Sequence, residues 1–190
     1  MPARFNVPIF LTWLRILAIP VFVAVLYVPE SWIVERTANV ISMWIFIAAA
    51  VTDWLDGWLA RRWNQTTSFG AFLDPVADKL MVAAALIVLT EKGIVDPFAS
   101  LIIIGREITI SALREWMANL GQGRSVAVNI FGKVKTIAQL VAIPFCLFNG
   151  VLLGVHTAHV GRVLIWIAAF LTLYSMIVYL RAAFTDPPPG

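Results

Sequence analysis

Long apolar segments joined by short polar links are the feature of this sequence that most limits its fold. Six can be drawn, and each approaches the roughly 20 residues that a helix needs to cross about 30 Å of hydrocarbon. Their predicted bounds are 9–28, 38–59, 69–90, 97–120, 134–155 and 160–180. The pattern predicts an all-α integral membrane protein with six transmembrane helices and a short N-terminal amphipathic juxtamembrane segment at 2–7.

The composition supports solvation by lipid. Of the 190 residues, 61% are hydrophobic and 13% are charged, whereas soluble domains are about 45–50% apolar and about 25% charged. The length fits one membrane domain, predicted at 1–185, and the proline-rich tail at 186–190 is expected to be disordered. The net charge of +3 is better explained by membrane topology and anionic head groups than by nucleic acid, which we do not expect as a partner.

Basic residues predict the orientation. One side of the predicted membrane is richer in Lys and Arg, so it is cytoplasmic by the positive-inside rule, and six spans then place both termini in the cytoplasm. That side carries Arg4, Arg61, Arg62, Arg114, Arg124, Lys133, Lys135 and Arg181. The other side carries Arg36, Lys92 and Arg162.

Four aspartates lie within apolar segments, where each isolated charge costs several kcal/mol. Asp53 and Asp56 precede the link between the second and third segments by several residues, and Asp74 and Asp78 follow it by a similar number. If the link folds the two helices into an antiparallel hairpin, a rise of about 1.5 Å per residue brings both pairs to the same depth. We therefore expect the four carboxylates to converge near the cytoplasmic end.

Converging carboxylates require either protons or cations to offset their repulsion. Carboxylate ligands without Cys or His nearby favour Mg²⁺ or Mn²⁺, and two such ions about 3.5–4 Å apart form the clamp used in phosphoryl transfer. Gly57 and Ala60 share the helix face of the first acidic pair and leave room for a ligand, and Arg61 is placed to hold a phosphate. The stretch predicts two divalent cations beside a phosphorylated ligand.

The same residues resemble the motif of the CDP-alcohol phosphotransferase family, D-x2-D-G-x2-A-R-x8-G-x3-D-x3-D. The matching positions are Asp53, Asp56, Gly57, Ala60, Arg61, Gly70, Asp74 and Asp78. The resemblance implies a six-helix membrane fold, a homodimer and an active site open to the cytoplasm. It also implies an enzyme that transfers a phosphatidyl group from CDP-diacylglycerol to an alcohol and releases CMP.

Segments outside the motif resemble the bacterial members of the family that use sn-glycerol 3-phosphate as the acceptor. They are 6–15, 61–65, 105–116 and 132–136. This resemblance implies a location in the bacterial cytoplasmic membrane. By the same resemblance Asp53, Asp56 and Asp74 ligate the metals, and Asp78 contributes to the second metal while acting as the base. A carboxylate near the acceptor hydroxyl can take its proton.

Two substrate sites are predicted. Positions expected to line the CDP-diacylglycerol site are Asp56, Gly57, Ala60, Arg61, Thr67, Asn6 and Thr12. For Thr12 and Thr67, interfacial capping is the alternative.

The glycerol-phosphate pocket needs cations for the acceptor's phosphate. Arg106 and Arg114 are eight residues apart, so they face one way on the fourth helix, and Lys133 and Lys135 open the fifth. Anchoring of Arg114 and both lysines at lipid head groups is the alternative. For Arg106, an ion pair with Glu107 is a further alternative, although sequence neighbours point apart on a helix.

Two other functions remain open from the sequence. One is the same chemistry with another acceptor, such as serine, inositol phosphate or phosphatidylglycerol. The other is a cation or proton transporter that uses the acidic cluster. A purely structural pairing of the acids with Lys79 and Arg61 is the remaining alternative. CMP release that depends on Mg²⁺ or Mn²⁺ distinguishes the enzyme from the transporter.

Overall fold

The computed structural model describes residues 7–62, 68–119 and 130–185. Within them the chain is mostly helical, as predicted, with one short β-hairpin. The elements are α1 (Val7–Leu26), α2 (Glu35–Arg62), α3 (Ser68–Glu91), α4 (Pro97–Asn119), α5 (Ile130–Phe148), β1 (Val151–Leu152), β2 (Val155–His156) and α6 (Thr157–Thr185). The predicted segment at 2–7, apart from its last residue, and the tail at 186–190 lie outside the described residues.

Two stretches within these helices are long and apolar enough to cross a membrane by length and composition, Glu35–Leu55 and Thr157–Val178. Phe10–Leu26 and Val134–Phe148 are shorter apolar helices. Large apolar side chains such as Trp44, Leu101 and Phe170 are exposed on the outer surface of the bundle. Such a surface suits lipid rather than water.

Local sequence signals explain the turn between α3 and α4. Gly93 has φ +69°, and Ile94 N–H donates to the Leu89 carbonyl while Gly93 N–H donates to that of Thr90. This is the pattern of a glycine-terminated helix, in which the last carbonyls regain partners. Asp96 then caps α4 by accepting from Phe98 N–H at 2.8 Å.

The fifth helix is shorter than predicted. It ends at Phe148 rather than at 155, and Asn149 follows with φ +41°. The chain then pairs Val151 with His156 in an antiparallel hairpin. A short apolar run does not by itself distinguish helix from strand, and the Asn-Gly pair at the helix end was the overlooked turn signal.

Helix packing places α1 against both α2 and α3, whereas the direct contact between α2 and α3 is small. The core is built from side chains such as Phe22, Phe46, Leu86 and Ile143. α5 lies against α2 and α6, and α4 lies against α3 and α6. The acidic ends of α2 and α3 therefore meet beside α1 as well as beside each other.

Candidate active site

α1 supplies hydrogen-bond partners to both acidic helices. Thr12 and Arg15 are buried and are three residues apart, so they share one face of α1. Thr12 Oγ1 donates to Asp74 Oδ1 at 2.5 Å, and Arg15 Nη1 donates to Asp53 Oδ1 at 2.6 Å. One helix thus orients one carboxylate of each acidic pair.

Asp78 lies close enough to the same group for its charge to interact with theirs. Its carboxylate repels that of Asp53 and is attracted by Arg15 and by its neighbour Lys79. Glu107 of α4 adds a further negative charge to this region. The charge of Asp78 therefore interacts with acids on α2 and α4, and the basic side chains of Arg15 and Lys79 act against that repulsion.

The acidic side chains of α2 and α3 form a donor set suited to divalent cations. Asp53, Asp74 and Asp78 offer carboxylate oxygens, the ligands that Mg²⁺ and Mn²⁺ prefer. Within the described residues, no group of three or more Asp, Glu, His or Cys side chains is already arranged to hold a metal ion. The side chain of Asp56 lies outside that part of the structure. The residues present fit a cation by ligand chemistry and by the repulsion between Asp53 and Asp78.

A second cluster is centred on Glu107. Arg106 Nη1 donates to Glu107 Oε1 at 3.3 Å, and Lys135 of α5 pairs with the same oxygen. Arg106 Nη2 also lies 3.3 Å from Ser175 Oγ of α6. The ion pair between Arg106 and Glu107, which the sequence left open, is therefore present, because the two long side chains reach across the helix surface. Two predicted acceptor-site cations, Arg106 and Lys135, are brought together by one carboxylate.

A small cavity lies between α3, α4 and α5, next to Asp78. We call it the α3–α5 cavity. Its volume is about 50 Å³, and it is lined by Asp78, Lys79, Val82, Glu107, Thr136, Gln139 and Leu140. Lys79 Nζ donates to Ser111 Oγ, which donates to the Glu107 carbonyl at 2.7 Å. The cavity therefore connects the acidic group to the Glu107 cluster.

Several predicted site residues lie wholly or partly outside the described part of the structure. Asn6 and Thr67 lie outside the described residues. The backbones of Asp56, Gly57, Ala60 and Arg61 belong to α2, that of Arg114 to α4 and that of Lys133 to α5, but their side chains lie outside the described part.

Arg15 and Gln139 were missed as site residues by sequence reasoning. The signal for Arg15 was a single charge inside an apolar segment, three residues after Thr12, because such a charge needs a partner in the bundle. Gln139 is a polar residue in the apolar fifth segment and lines the α3–α5 cavity. Neither belongs to the acidic motif, so only packing joins them to it.

Comparisons with known proteins identify the family of this chain. The CDP-alcohol phosphatidyltransferase family model matches residues 5–174. Relatives named CDP-diacylglycerol–glycerol-3-phosphate 3-phosphatidyltransferase from Escherichia coli K12 and Salmonella typhimurium LT2 are 50% identical over 187 residues. The relative of that name from Shigella flexneri is 51% identical. Each alignment covers 96% of this chain and 97% of the relative. The chain therefore belongs to the CDP-alcohol phosphatidyltransferase family.

Proposed function

We propose that the protein transfers the phosphatidyl group of CDP-diacylglycerol to sn-glycerol 3-phosphate, giving phosphatidylglycerophosphate and CMP. This would be the committed step toward phosphatidylglycerol and cardiolipin. The observation that carries the proposal is the identity of half the residues, over 96% of the chain, to relatives named for this reaction. The aspartates of α2 and α3 and the basic side chains of α4 and α5 supply the chemical groups that this reaction needs.

Asp53, Asp56, Asp74 and Asp78 are proposed to hold two divalent cations, Mg²⁺ or Mn²⁺. When bound, these ions would offset negative charge on the pyrophosphate oxygens. The support from this chain is the oxygen-only donor set and the repulsion between Asp53 and Asp78. Arg15 limits that repulsion through its 2.6 Å contact with Asp53.

Asp78 is proposed as the base. The acceptor hydroxyl attacks the β-phosphorus, a new P–O bond forms, and the bond from that phosphorus to the oxygen of CMP breaks. The proton of the attacking hydroxyl passes to the Asp78 carboxylate. Its position on the wall of the α3–α5 cavity supports this assignment, because a hydroxyl at the cavity mouth would lie beside it.

The CDP-diacylglycerol site is proposed to include Asp56, Gly57, Ala60 and Arg61, with Asn6 and Thr67 nearby. Thr12 was predicted to belong to the same site. Its hydroxyl donates to Asp74, so we assign it the role of positioning that carboxylate.

The glycerol-phosphate pocket is proposed to use Arg106, Arg114, Lys133 and Lys135. Arg106 and Lys135 are buried and share Glu107. Their combined charge exceeds that of one carboxylate, which favours a phosphate nearby. Glu107 would hold the guanidinium of Arg106 and the ammonium of Lys135 at the edge of the α3–α5 cavity.

The finer membrane arrangement also remains a proposal. We propose six spans in the bacterial cytoplasmic membrane, with both termini and the active site facing the cytoplasm, and a homodimer surrounded by membrane lipid. The two long apolar helices support a place in the membrane, and the distribution of Lys and Arg supports the orientation.

CMP release from the purified protein tests the function. We expect CMP with CDP-diacylglycerol, Mg²⁺ and glycerol 3-phosphate, and none when EDTA replaces the metal or when serine, inositol phosphate or phosphatidylglycerol replaces the acceptor. Asp53→Asn should abolish release, whereas Glu30→Gln, a change to an exposed acid between α1 and α2, should not.

Other outcomes would change the assignment. CMP release with only a different acceptor would keep the chemistry and reject glycerol 3-phosphate. No CMP with any acceptor, together with cation or proton flux into vesicles containing the protein, would favour a transporter.

A further inference from the structure

The amide of Gln139 is a buried polar group that the proposed mechanism does not use. The residue is only 5% exposed, and Nε2 has no hydrogen-bond partner among the described residues. Burying an amide without a partner costs free energy, so such groups in proteins usually meet another polar group. A buried donor without a partner beside a cavity indicates that something polar occupies that cavity.

The α3–α5 cavity limits what this occupant can be. Its volume of about 50 Å³ corresponds to roughly one or two water molecules. A carbon that bears a hydroxyl is of similar size, whereas a whole glycerol phosphate is larger. The cavity can therefore receive one end of the acceptor, with the phosphate left near the cations around Glu107.

The other polar groups of the cavity determine which end enters. Asp78 lies on the wall and is the proposed acceptor of the proton from the attacking hydroxyl. Gln139 is neutral and faces the same space from α5, together with Thr136. A neutral amide suits a hydroxyl, whereas the phosphate is better bound by guanidinium and ammonium groups.

We propose that Gln139 Nε2 donates a hydrogen bond to the second hydroxyl of glycerol 3-phosphate, the one that does not attack. Gln139 is then a residue that determines acceptor specificity: it distinguishes a vicinal diol from a simple alcohol. The inference rests on the proposed function, with the primary hydroxyl as the attacking group beside Asp78.

The proposal predicts discrimination against an acceptor that lacks the second hydroxyl. An enzyme site built to bind a hydroxyl disfavours the analogue without it, because the site's polar group then remains unpaired. 3-Hydroxypropyl phosphate keeps the primary hydroxyl and the phosphate and lacks only that group. For a single neutral hydrogen bond we expect kcat/KM to favour glycerol 3-phosphate by about 10- to 100-fold.

The test measures CMP release with both acceptors for the wild-type protein and for Gln139→Met, which keeps the length of the side chain and removes the amide. In Gln139→Met, kcat/KM for glycerol 3-phosphate divided by kcat/KM for 3-hydroxypropyl phosphate should fall to within about threefold of unity. The fall should come mainly from a lower kcat/KM for glycerol 3-phosphate. Ile137→Leu changes an exposed side chain of the same helix, outside the cavity lining, and should keep the wild-type ratio.

The outcomes separate this inference from the proposed function. An unchanged ratio in Gln139→Met, with CMP still released, would overturn the role of Gln139 alone and would indicate that water satisfies the amide. No CMP from either acceptor with the wild-type protein would overturn the proposed function and this inference with it. If Gln139→Met fails to fold, Gln139→Leu serves instead, because it also removes every hydrogen-bonding group of the side chain and should lower the ratio in the same way.

Discussion

The ion pair between Arg15 and Asp53 gives the sharpest test of how α1 holds the acidic site. Its atoms are 2.6 Å apart, and the side chains are 1% and 39% exposed, respectively. At this separation two unit charges attract by about 6 kcal/mol at an effective dielectric of about 20 and by about 1.6 kcal/mol in water. The exposure of Asp53 places the pair nearer the lower value, so we expect a coupling of about 2–3 kcal/mol.

A double-mutant cycle measures this coupling. The variants are Arg15→Met, Asp53→Asn and the two together, and the free energy of unfolding is measured in detergent micelles with EDTA so that metal binding does not contribute. Asp53→Asn should cost more than Arg15→Met, because it leaves a buried guanidinium without its carboxylate, whereas a half-exposed carboxylate can be hydrated. The double variant should lose less unfolding free energy than the sum of the losses in the two single variants.

A matched cycle at the exposed hydrogen bond from Tyr27 to Glu91, 3.1 Å long, provides the control. Tyr27→Phe with Glu91→Gln should show a much smaller coupling, because water competes for both groups. A coupling below about 0.5 kcal/mol at Arg15 and Asp53 would be no larger than that between distant sites. It would refute the argument that α1 holds the acidic helix through this pair.

Four further substitutions test other parts of the structure. Thr12→Val removes the hydroxyl that faces the α3 carboxylate and should slow CMP release by about tenfold or more, whereas Thr12→Ser should retain most of the activity. Asp78→Asn should abolish turnover and leave binding of CDP-diacylglycerol largely intact. Arg106→Ala should raise the KM for glycerol 3-phosphate far more than that for CDP-diacylglycerol. Gly161→Ala would place a Cβ 2.5 Å from a sulfur of α5 and should lower the unfolding temperature, whereas Gly105→Ala has open space and should not.

Each of these predictions has a contrary result. Equal activity in the Val and Ser variants of Thr12 would remove its positioning role. Loss of CDP-lipid binding together with turnover in Asp78→Asn would argue against a base. A larger change in the KM for CDP-diacylglycerol would take Arg106 out of the acceptor pocket. Equal unfolding temperatures for the two glycine variants would mean that α5 and α6 can separate at little cost.

The helices were largely predictable from the sequence. Five of the six begin and end within five residues of the predicted bounds, because long apolar runs and helix-ending signals are local properties. The end of the fifth helix was not predictable, because a short apolar run such as Val151-Leu152-Leu153 is compatible with either a helix or a strand. The turn at Asn149, with positive φ, decided between them.

For the site, the sequence by itself determined which side chains share a helix face. Spacing places Asp74 and Asp78 together on α3 and Thr12 and Arg15 together on α1. The chemistry of four acids in an apolar setting also follows from the residues alone, since carboxylates there require cations or protons. These conclusions depend only on positions a few residues apart.

Only the tertiary structure decided which helices bring partners to those acids. Arg15 meets Asp53 across 38 residues of sequence, and Lys135 meets Glu107 across 28. Gln139 reaches the cavity beside Asp78 because α5 packs there. No local spacing encodes these contacts, because the packing of the whole bundle sets the rotation and depth of each helix.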